Sequence, residues 1–279
     1  MFKERKNTSW CPGCGNFPLR KALKNALNEM ELSYEDVVMF TGIGQAAKMP
    51  HFLKINGYNG LHGRAIPPAI GMRIANHKIK VIVDSGDGCS YGEGGNHFVH
   101  NMRRNVDLVH LVHNNQIYGL TKGQASPTSG EDIKTQVQPE GVTAQPLNPL
   151  RIALSSGATF VARSFVGDRE HLKKIIKAAF DHRGYALIDI LQPCVSFNKI
   201  NTYKWYTERV YKLKNHDVTD IEAAFNKAGE WGEQIPIGVL YKSSRKIFRD
   251  NFPWLNEDEI MSEREINPKE KEYLLKDFQ

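Results

Sequence analysis

Two stretches decide the fold: KVIVDSGDG at residues 80–88 and DLVHLVHNN at residues 107–115. Each is an apolar run that ends abruptly in Gly, Asp or Asn, which reads as a buried strand running into a turn. Between them, Gly92 to Arg104 reads as a helix. Outward from this unit the alternation continues. Phe17 to Met30 places Leu19, Leu23, Ala26, Leu27 and Met30 at helical spacing. Val37 to Thr41 is a short apolar run ending at Gly42-Ile43-Gly44, and Pro67 to Asn76 fits a short helix with Pro near its start. Thr159 to Arg163 and Tyr185 to Leu191 read as strands, with Asp168 to His182 a helix between them. Such alternation predicts an α/β fold, a doubly wound and mainly parallel sheet with helices on both faces.

Two departures from the alternation suggest a division of labour. Gly119 to Leu150 is rich in Gly, Pro, Ser, Thr and Gln, and a segment that long with little periodicity is usually functional or covered by a partner. After about residue 200 the pattern changes: Tyr203, Trp205, Tyr206 and Tyr211 cluster, Val218 to Gly229 looks helical, and the tail is polar. The expected organisation is one domain over residues 1–200 and an extension over 201–279 that packs on the core or on another subunit.

The bulk numbers exclude several classes. With 279 residues and 41% hydrophobic residues the chain can bury a sizeable core. The net charge of +6 raises a nucleic-acid reading, but Lys and Arg are interleaved with Asp and Glu. No basic run with aromatic interleaving occurs, so no nucleic-acid module is expected; a basic face suits an acidic protein partner. No apolar run reaches the ~18 residues of a membrane span. Met1 to Asn7 is charged and carries no signal-peptide core, so a cytoplasmic protein with reduced cysteines is expected.

In open parallel sheets, ligands bind beyond the carboxyl ends of the strands. Gly86-Asp87-Gly88 ends the first quoted stretch and Asn114-Asn115 the second. Glycines let the backbone approach a phosphate closely, and free N–H groups at a following helix start attract it. Asp offers a hard anionic oxygen and Asn a neutral carbonyl oxygen; Mg2+ takes such oxygens together with phosphates. A lone Gly-Asp-Gly needs no ligand, being a serviceable tight turn. Gly-Asp-Gly followed by a helix, a strand and Asn-Asn is the pattern of thiamine diphosphate enzymes.

The resemblance extends well beyond that pair. Trp10-Cys11-Pro12-Gly13-Cys14-Gly15, Gly42-Ile43-Gly44, His62-Gly63-Arg64-Ala65 and Gly94-Gly95-Asn96-His97 carry it. So does the run from Asn114 to Thr128. Together they resemble the β subunit of 2-oxoacid:ferredoxin oxidoreductases (the pyruvate and 2-oxoglutarate class) over most of residues 8–200. The resemblance implies that this chain holds the diphosphate half of the cofactor. An α subunit, in some cases a γ–α fusion, would supply the glutamate that activates the aminopyrimidine ring. It implies Mg2+ held by Asp87, Asn115 and the backbone carbonyl of Ile117. Gly44, Gly86, Gly88, Cys89, Gly119, Leu120 and Thr121 would line the cofactor. Lys48, Lys122, His62 and Arg64 would face substrate or cofactor. It further implies decarboxylation of a 2-oxoacid, transfer of the acyl group to coenzyme A and electrons passed to ferredoxin.

The cysteines depart from the family. Cys11-x-x-Cys14 could be redox-active, bind zinc or ligate iron and sulfur. In relatives a [4Fe–4S] cluster takes this pair, a Cys just after the Gly-Ile-Gly turn and a Cys after the last strand. Cys194 fits the last position, but Gln45 stands where the third belongs. Cys89, beside the Gly-Asp-Gly turn, reads as a small packing residue that remains a candidate. Two other readings stay open: a non-oxidative thiamine-diphosphate decarboxylase subunit, which needs no cluster, and a non-enzymatic iron–sulfur electron carrier, which leaves the paired turns unexplained.

Overall fold

The computed structural model describes residues 1–5, 7–255, 259–265, 268, 272, 275 and 276; the rest of the expected 201–279 extension lies outside the described residues. In chain order the elements begin with α1 (Asn16–Glu29), β1 (Val37–Thr41), a 3-10 turn (Ala46–Lys48), α2 (Met49–Phe52) and β2 (Asn56–Asn59). Next come α3 (Ile66–Ala75), β3 (Lys80–Gly86), α4 (Gly95–Arg104) and β4 (Leu108–Asn114). A small hairpin follows, β5 (Ile117–Tyr118) with β6 (Gln124–Ala125), then α5 (Pro149–Ser155), β7 (Phe160–Phe165), α6 (Arg169–Phe180) and β8 (Tyr185–Leu191). Beyond these lie α7 (Tyr203–Arg209), β9 (Val210–Lys212), α8 (Ile221–Gly229) and β10 (Ile235–Lys242).

Eight strands form one sheet in the order β2-β1-β3-β4-β8-β7-β10-β9. All neighbours run parallel except β10 against β7. The central strands β4, β7 and β8 are buried at every position, as apolar runs covered on both faces must be. On one face lies a layer that includes Leu19, Leu23 and Leu27 of α1 and Leu172 and Ile176 of α6. Each such fully buried leucine contributes roughly 1.5–3 kcal/mol. On the other face sit Phe98 and Met102 of α4, Leu150 and Leu154 of α5, and Ala224 and Ala228 of α8. Asp168 caps α6 by accepting the His171 N–H at 3.0 Å, which fixes where that helix starts. Among the described residues no helix is long and apolar enough to cross a membrane.

Two expectations need correction. The helix after Gly-Asp-Gly begins at Gly95, not Gly92. Residues Gly88–Glu93 wind into a wider π-type turn, in which the Gly94 N–H reaches the Cys89 carbonyl five residues back at 3.0 Å. Glycine is required there, because a Cβ at Gly94 would lie 2.5 Å from that same carbonyl oxygen. The segment after residue 200 also yields more strand than its helical and aromatic pattern indicates, since β10 pairs with β7 and β9 with β10 in the main sheet.

The strand order changes direction at β1 and β3, because β1 leads to β2 on one side while β3 and β4 extend the other. That junction opens a crevice at the carboxyl ends of the strands. The Gly42–Gly44 turn and the Gly86–Gly88 turn both emerge there.

Burial also sets protonation in the core. His110 of β4 is fully buried between Ser90 Oγ at 3.0 Å and Tyr185 Oη at 2.6 Å. Desolvation pushes its imidazole down to about 3. Between that value and the ordinary 6.5 of an unfolded histidine, the unfolded chain holds a proton that the native chain does not. Stability therefore falls as pH drops through this window, by ~1.4 kcal/mol per pH unit for this one group. Thermal melts of the His110→Gln variant should show a shallower loss between pH 6.5 and 4; a slope equal to the parent's would show that His110 is protonated in the folded chain.

Candidate active site

The two quoted stretches do come together. β3 and β4 are neighbours in a register that sets Gly86 opposite His113, so Asp87 and Asn115 leave adjacent strand tips. Asp87 is buried, and its Oδ2 accepts the Ser126 hydroxyl at 2.6 Å and the Thr128 hydroxyl at 2.7 Å. Burial pushes its carboxyl up to about 6, while the hydrogen bonds from Ser126, Thr128 and the Gly88 backbone act in the opposite direction. The Asn115 side chain has a different partner: its Oδ1 accepts the Ile117 N–H at 3.0 Å, which shapes the turn into β5. An amide oxygen has a second lone pair, so this bond leaves it able to meet a cation.

Several glycines frame this region. A Cβ at Gly88 would lie 2.2 Å from the Tyr118 ring, so the turn and the hairpin can approach only without a side chain. Gly44 (φ +126°) and Gly119 have nothing within 4 Å of where a Cβ would stand, leaving open space beside the strand tips. Thr121 donates to Gln124 within the hairpin loop, and Leu120 is exposed at its tip.

The other expected residues divide into two groups. His62 and Arg64 lie on the Tyr118 side. His62 Nδ1 lies 3.1 Å from Glu93 Oε2; Tyr118 Oη donates to that oxygen at 3.0 Å, and the Arg64 guanidinium reaches the Glu93 carbonyl at 3.4 Å. Cys89 is buried beneath them, its sulfur accepting the Gly63 N–H at 3.2 Å and lying where a Cβ on Gly42 would go. It packs there, away from the other three cysteines, which line a pocket of their own. Lys122 (φ +82°) lines that cysteine pocket, whereas Lys48 is half-buried and donates to Ser9 at 3.2 Å.

The cysteine pocket, about 190 Å³, is lined by Cys11, Cys14, Cys194 and Gln45, and also by Asn115 and Gly119. Burial, with the neighbouring Cys194 and Cys11 thiols adding to it, raises Cys14 to about 11. Gln45 Oε1 is buried and finds no hydrogen-bond partner among the described residues, while its backbone carbonyl accepts the Trp10 indole N–H at 2.8 Å. No three His, Cys, Asp or Glu side chains among the described residues are gathered tightly enough to hold a single metal ion.

A site with one buried carboxylate, neutral oxygens around it and open space over glycine turns is suited to a phosphorylated ligand and its cation. In agreement, residues 37–190 match the family model of the thiamine pyrophosphate enzyme C-terminal TPP-binding domain. Residues 194–257 match that of the C-terminal part of the pyruvate ferredoxin oxidoreductase β chain. The fold and site thus define a thiamine-diphosphate-binding protein. A 2-oxoacid:ferredoxin oxidoreductase subunit β of Saccharolobus solfataricus is 46% identical over 248 residues, 84% of this chain and 81% of that protein. Subunit β of the first such enzyme of Aeropyrum pernix is also 46% identical, over 86% of this chain and 79% of its own. Among solved structures, the 2-oxoglutarate:ferredoxin oxidoreductase from Magnetococcus marinus with 2-oxoglutarate, coenzyme A and succinyl-CoA bound superposes with a TM-score of 0.91. It is 35% identical and covers 98% of this chain and 94% of its own. The chain belongs to the 2-oxoacid:ferredoxin oxidoreductase β-subunit family.

Sequence reasoning singled out Asp87 and Asn115 but passed over the side chains that hold Asp87. Ser126 and Thr128 lie in the run from Asn114 to Thr128, and Asn114 precedes the expected ligand. A further signal was a single Asp in the apolar strand YALIDIL (185–191), since a charge in a fully buried strand must have partners.

Proposed function

We infer that this chain works with an α subunit in the thiamine-diphosphate-dependent oxidative decarboxylation of a 2-oxoacid of the 2-oxoglutarate or pyruvate class. The acyl group passes to coenzyme A and the electrons to ferredoxin. The observation that carries this reading is the register of β3 and β4, which sets the Asp87 and Asn115 turns side by side at the crevice. The relatives' names and the ligands in the Magnetococcus enzyme support the substrate class.

Mg2+ would take the Asp87 carboxylate, Asn115 Oδ1 and the Ile117 carbonyl, with diphosphate oxygens completing its shell. A site with one acidic ligand needs those phosphates, and Mg2+ habitually binds in this way. Thiamine diphosphate, when bound, supplies the carbon nucleophile and holds the electrons left by decarboxylation. The chain's own part is to grip and orient: backbone at Gly44, Gly86, Gly88, Gly119, Leu120 and Thr121 around the diphosphate. Lys122 and Lys48 supply cationic charge toward the substrate carboxylate, and His62 and Arg64 hold the wall beside Tyr118. Cys89 contributes packing.

Cys11, Cys14 and Cys194 suit an iron–sulfur cluster better than a single ion, because separate irons need thiols spaced more widely. Gln45 then leaves one iron without a thiolate, and its orphaned Oε1 offers an oxygen in that corner. A boundary near residue 200, with 201–279 as an extension on the core or on the α subunit, is supported by the break between the two family matches at 190–194.

Co-expression with an α subunit, followed by coenzyme-A-dependent reduction of a viologen dye, should give activity with 2-oxoglutarate or pyruvate. Decarboxylation with no dye reduction would favour a non-oxidative decarboxylase instead.

A further inference from the structure

Asp189 lies in β8, buried, and makes no hydrogen bond to Asp87 itself. Its Oδ1 accepts the Tyr91 hydroxyl at 2.8 Å and the Asn114 amide N–H at 3.1 Å. Asn114 Nδ2 is also 3.2 Å from Asp189 Oδ2, so the whole carboxylate faces that amide. With its nitrogen held there, the Asn114 amide must turn its oxygen the other way. That oxygen lies 2.9 Å from the Thr128 hydroxyl, whose single proton is shared between it and Asp87 Oδ2 at 2.7 Å, so the hydroxyl is held against both. Tyr91, the second group on Asp189, belongs to the π-type turn that starts one residue after Asp87. The turn that follows Asp87 and the tip of the neighbouring strand β4 are therefore both tied to one buried carboxylate.

The counter-charge is Arg163 of β7, whose Nε is 3.9 Å from Asp189 Oδ2 and whose guanidinium donates to the Ala228 and Glu230 carbonyls. Burying such a pair has a desolvation cost that a better-packed apolar pair would not have. Simple packing gives no reason for a carboxylate at this position.

We propose that Asp189 is a positioning residue for the Asp87 carboxylate, acting through Tyr91, Asn114 and Thr128. The inference rests on the reading of Asp87 as a magnesium ligand. Groups behind a metal ligand set its orientation, and their loss typically weakens metal binding ~10–100-fold.

The test uses the complex with its α subunit and measures Mn2+ binding by electron paramagnetic resonance in the presence of thiamine diphosphate, beside the Mg2+ dependence of turnover. Asp189→Asn and Thr128→Val should each raise the metal concentration for half-saturation ~10–100-fold, while saturating Mg2+ restores most of kcat. Thr128→Val preserves side-chain shape but also removes a direct bond to Asp87. Tyr91→Phe removes only a bond to Asp189 and should raise half-saturation in the same direction. It decides the matter if Asp189→Asn fails to fold, and parent-like half-saturation there overturns the proposal. Parent-like half-saturation in Thr128→Val, or a loss of kcat that no Mg2+ concentration restores, would overturn the proposal. Asp87→Asn separates the two layers. Metal binding lost in Asp87→Asn but unchanged in the other variants sinks only the positioning role. Metal binding retained in Asp87→Asn sinks the site reading itself.

Discussion

Asp87→Asn is expected to abolish thiamine diphosphate retention and 2-oxoacid oxidation while leaving the fold intact or slightly more stable. The two effects have one cause. Asp87 is the single acid among the oxygens proposed for Mg2+, and an amide cannot balance the cation's charge beside a diphosphate. The loss should exceed the ~10–100-fold typical of groups that only support a ligand. In the protein without ligand, the same carboxylate is buried and pushed up to about 6, a cost that a neutral amide of the same shape does not carry. Ser126 and Thr128 can still donate to the amide oxygen. Equilibrium dialysis with thiamine diphosphate and Mg2+, paired with a thermal melt, would check both halves. A variant that binds the cofactor with parent affinity would remove Asp87 from the site, and one that loses both cofactor and folded structure would point to a packing role.

The second large effect is expected from Cys14→Ser. Cys14 lines the pocket with Cys11 and Cys194, and burial raises its thiol to about 11. A thiol that is hard to ionise alone gives up its proton when iron takes the sulfur, and a hydroxyl is a poorer replacement still. With only three thiols and Gln45 around the proposed cluster, there is no spare thiolate: Cys89 is committed to Gly63 and the Gly42 turn. Anaerobically purified Cys14→Ser complex should therefore lose iron and its visible absorbance from this subunit, and ferredoxin reduction with it. Exchange of carbon dioxide into the 2-oxoacid, which needs the cofactor and not the cluster, should continue. Unchanged iron content together with parent-like ferredoxin reduction would show that the electrons leave by another route.

How much of this was legible beforehand follows from the range of each interaction. Strand and helix identities in residues 17–191 rest on periodicity over neighbouring residues, so the apolar runs at 80–86 and 108–114 and the helical spacing at 16–29 could be read directly. The start of α4 could not: glycines at 92 and 94 permit either a helix or the wider turn, and contact with the Cys89 and Ser90 carbonyls selects the turn. β10 was missed because its place beside β7 is a long-range pairing with no local signal stronger than an ordinary apolar stretch.

The candidate site divides in the same way. Gly-Asp-Gly, Asn-Asn and the C-x-x-C pair are local patterns, and the proposed chemistry of phosphate, cation and thiolate rests on them. Which groups surround them was settled only by folding. Residues 87, 126 and 128 meet because the β5–β6 hairpin folds back over the end of β3, and residues 91, 114 and 189 meet because β4 and β8 are neighbours. Asp189 lies 75 residues from Asn114 and 98 from Tyr91 along the chain. A hydrogen bond acts over about 3 Å, so partners that far apart in sequence are chosen by sheet order and register, which no local pattern encodes.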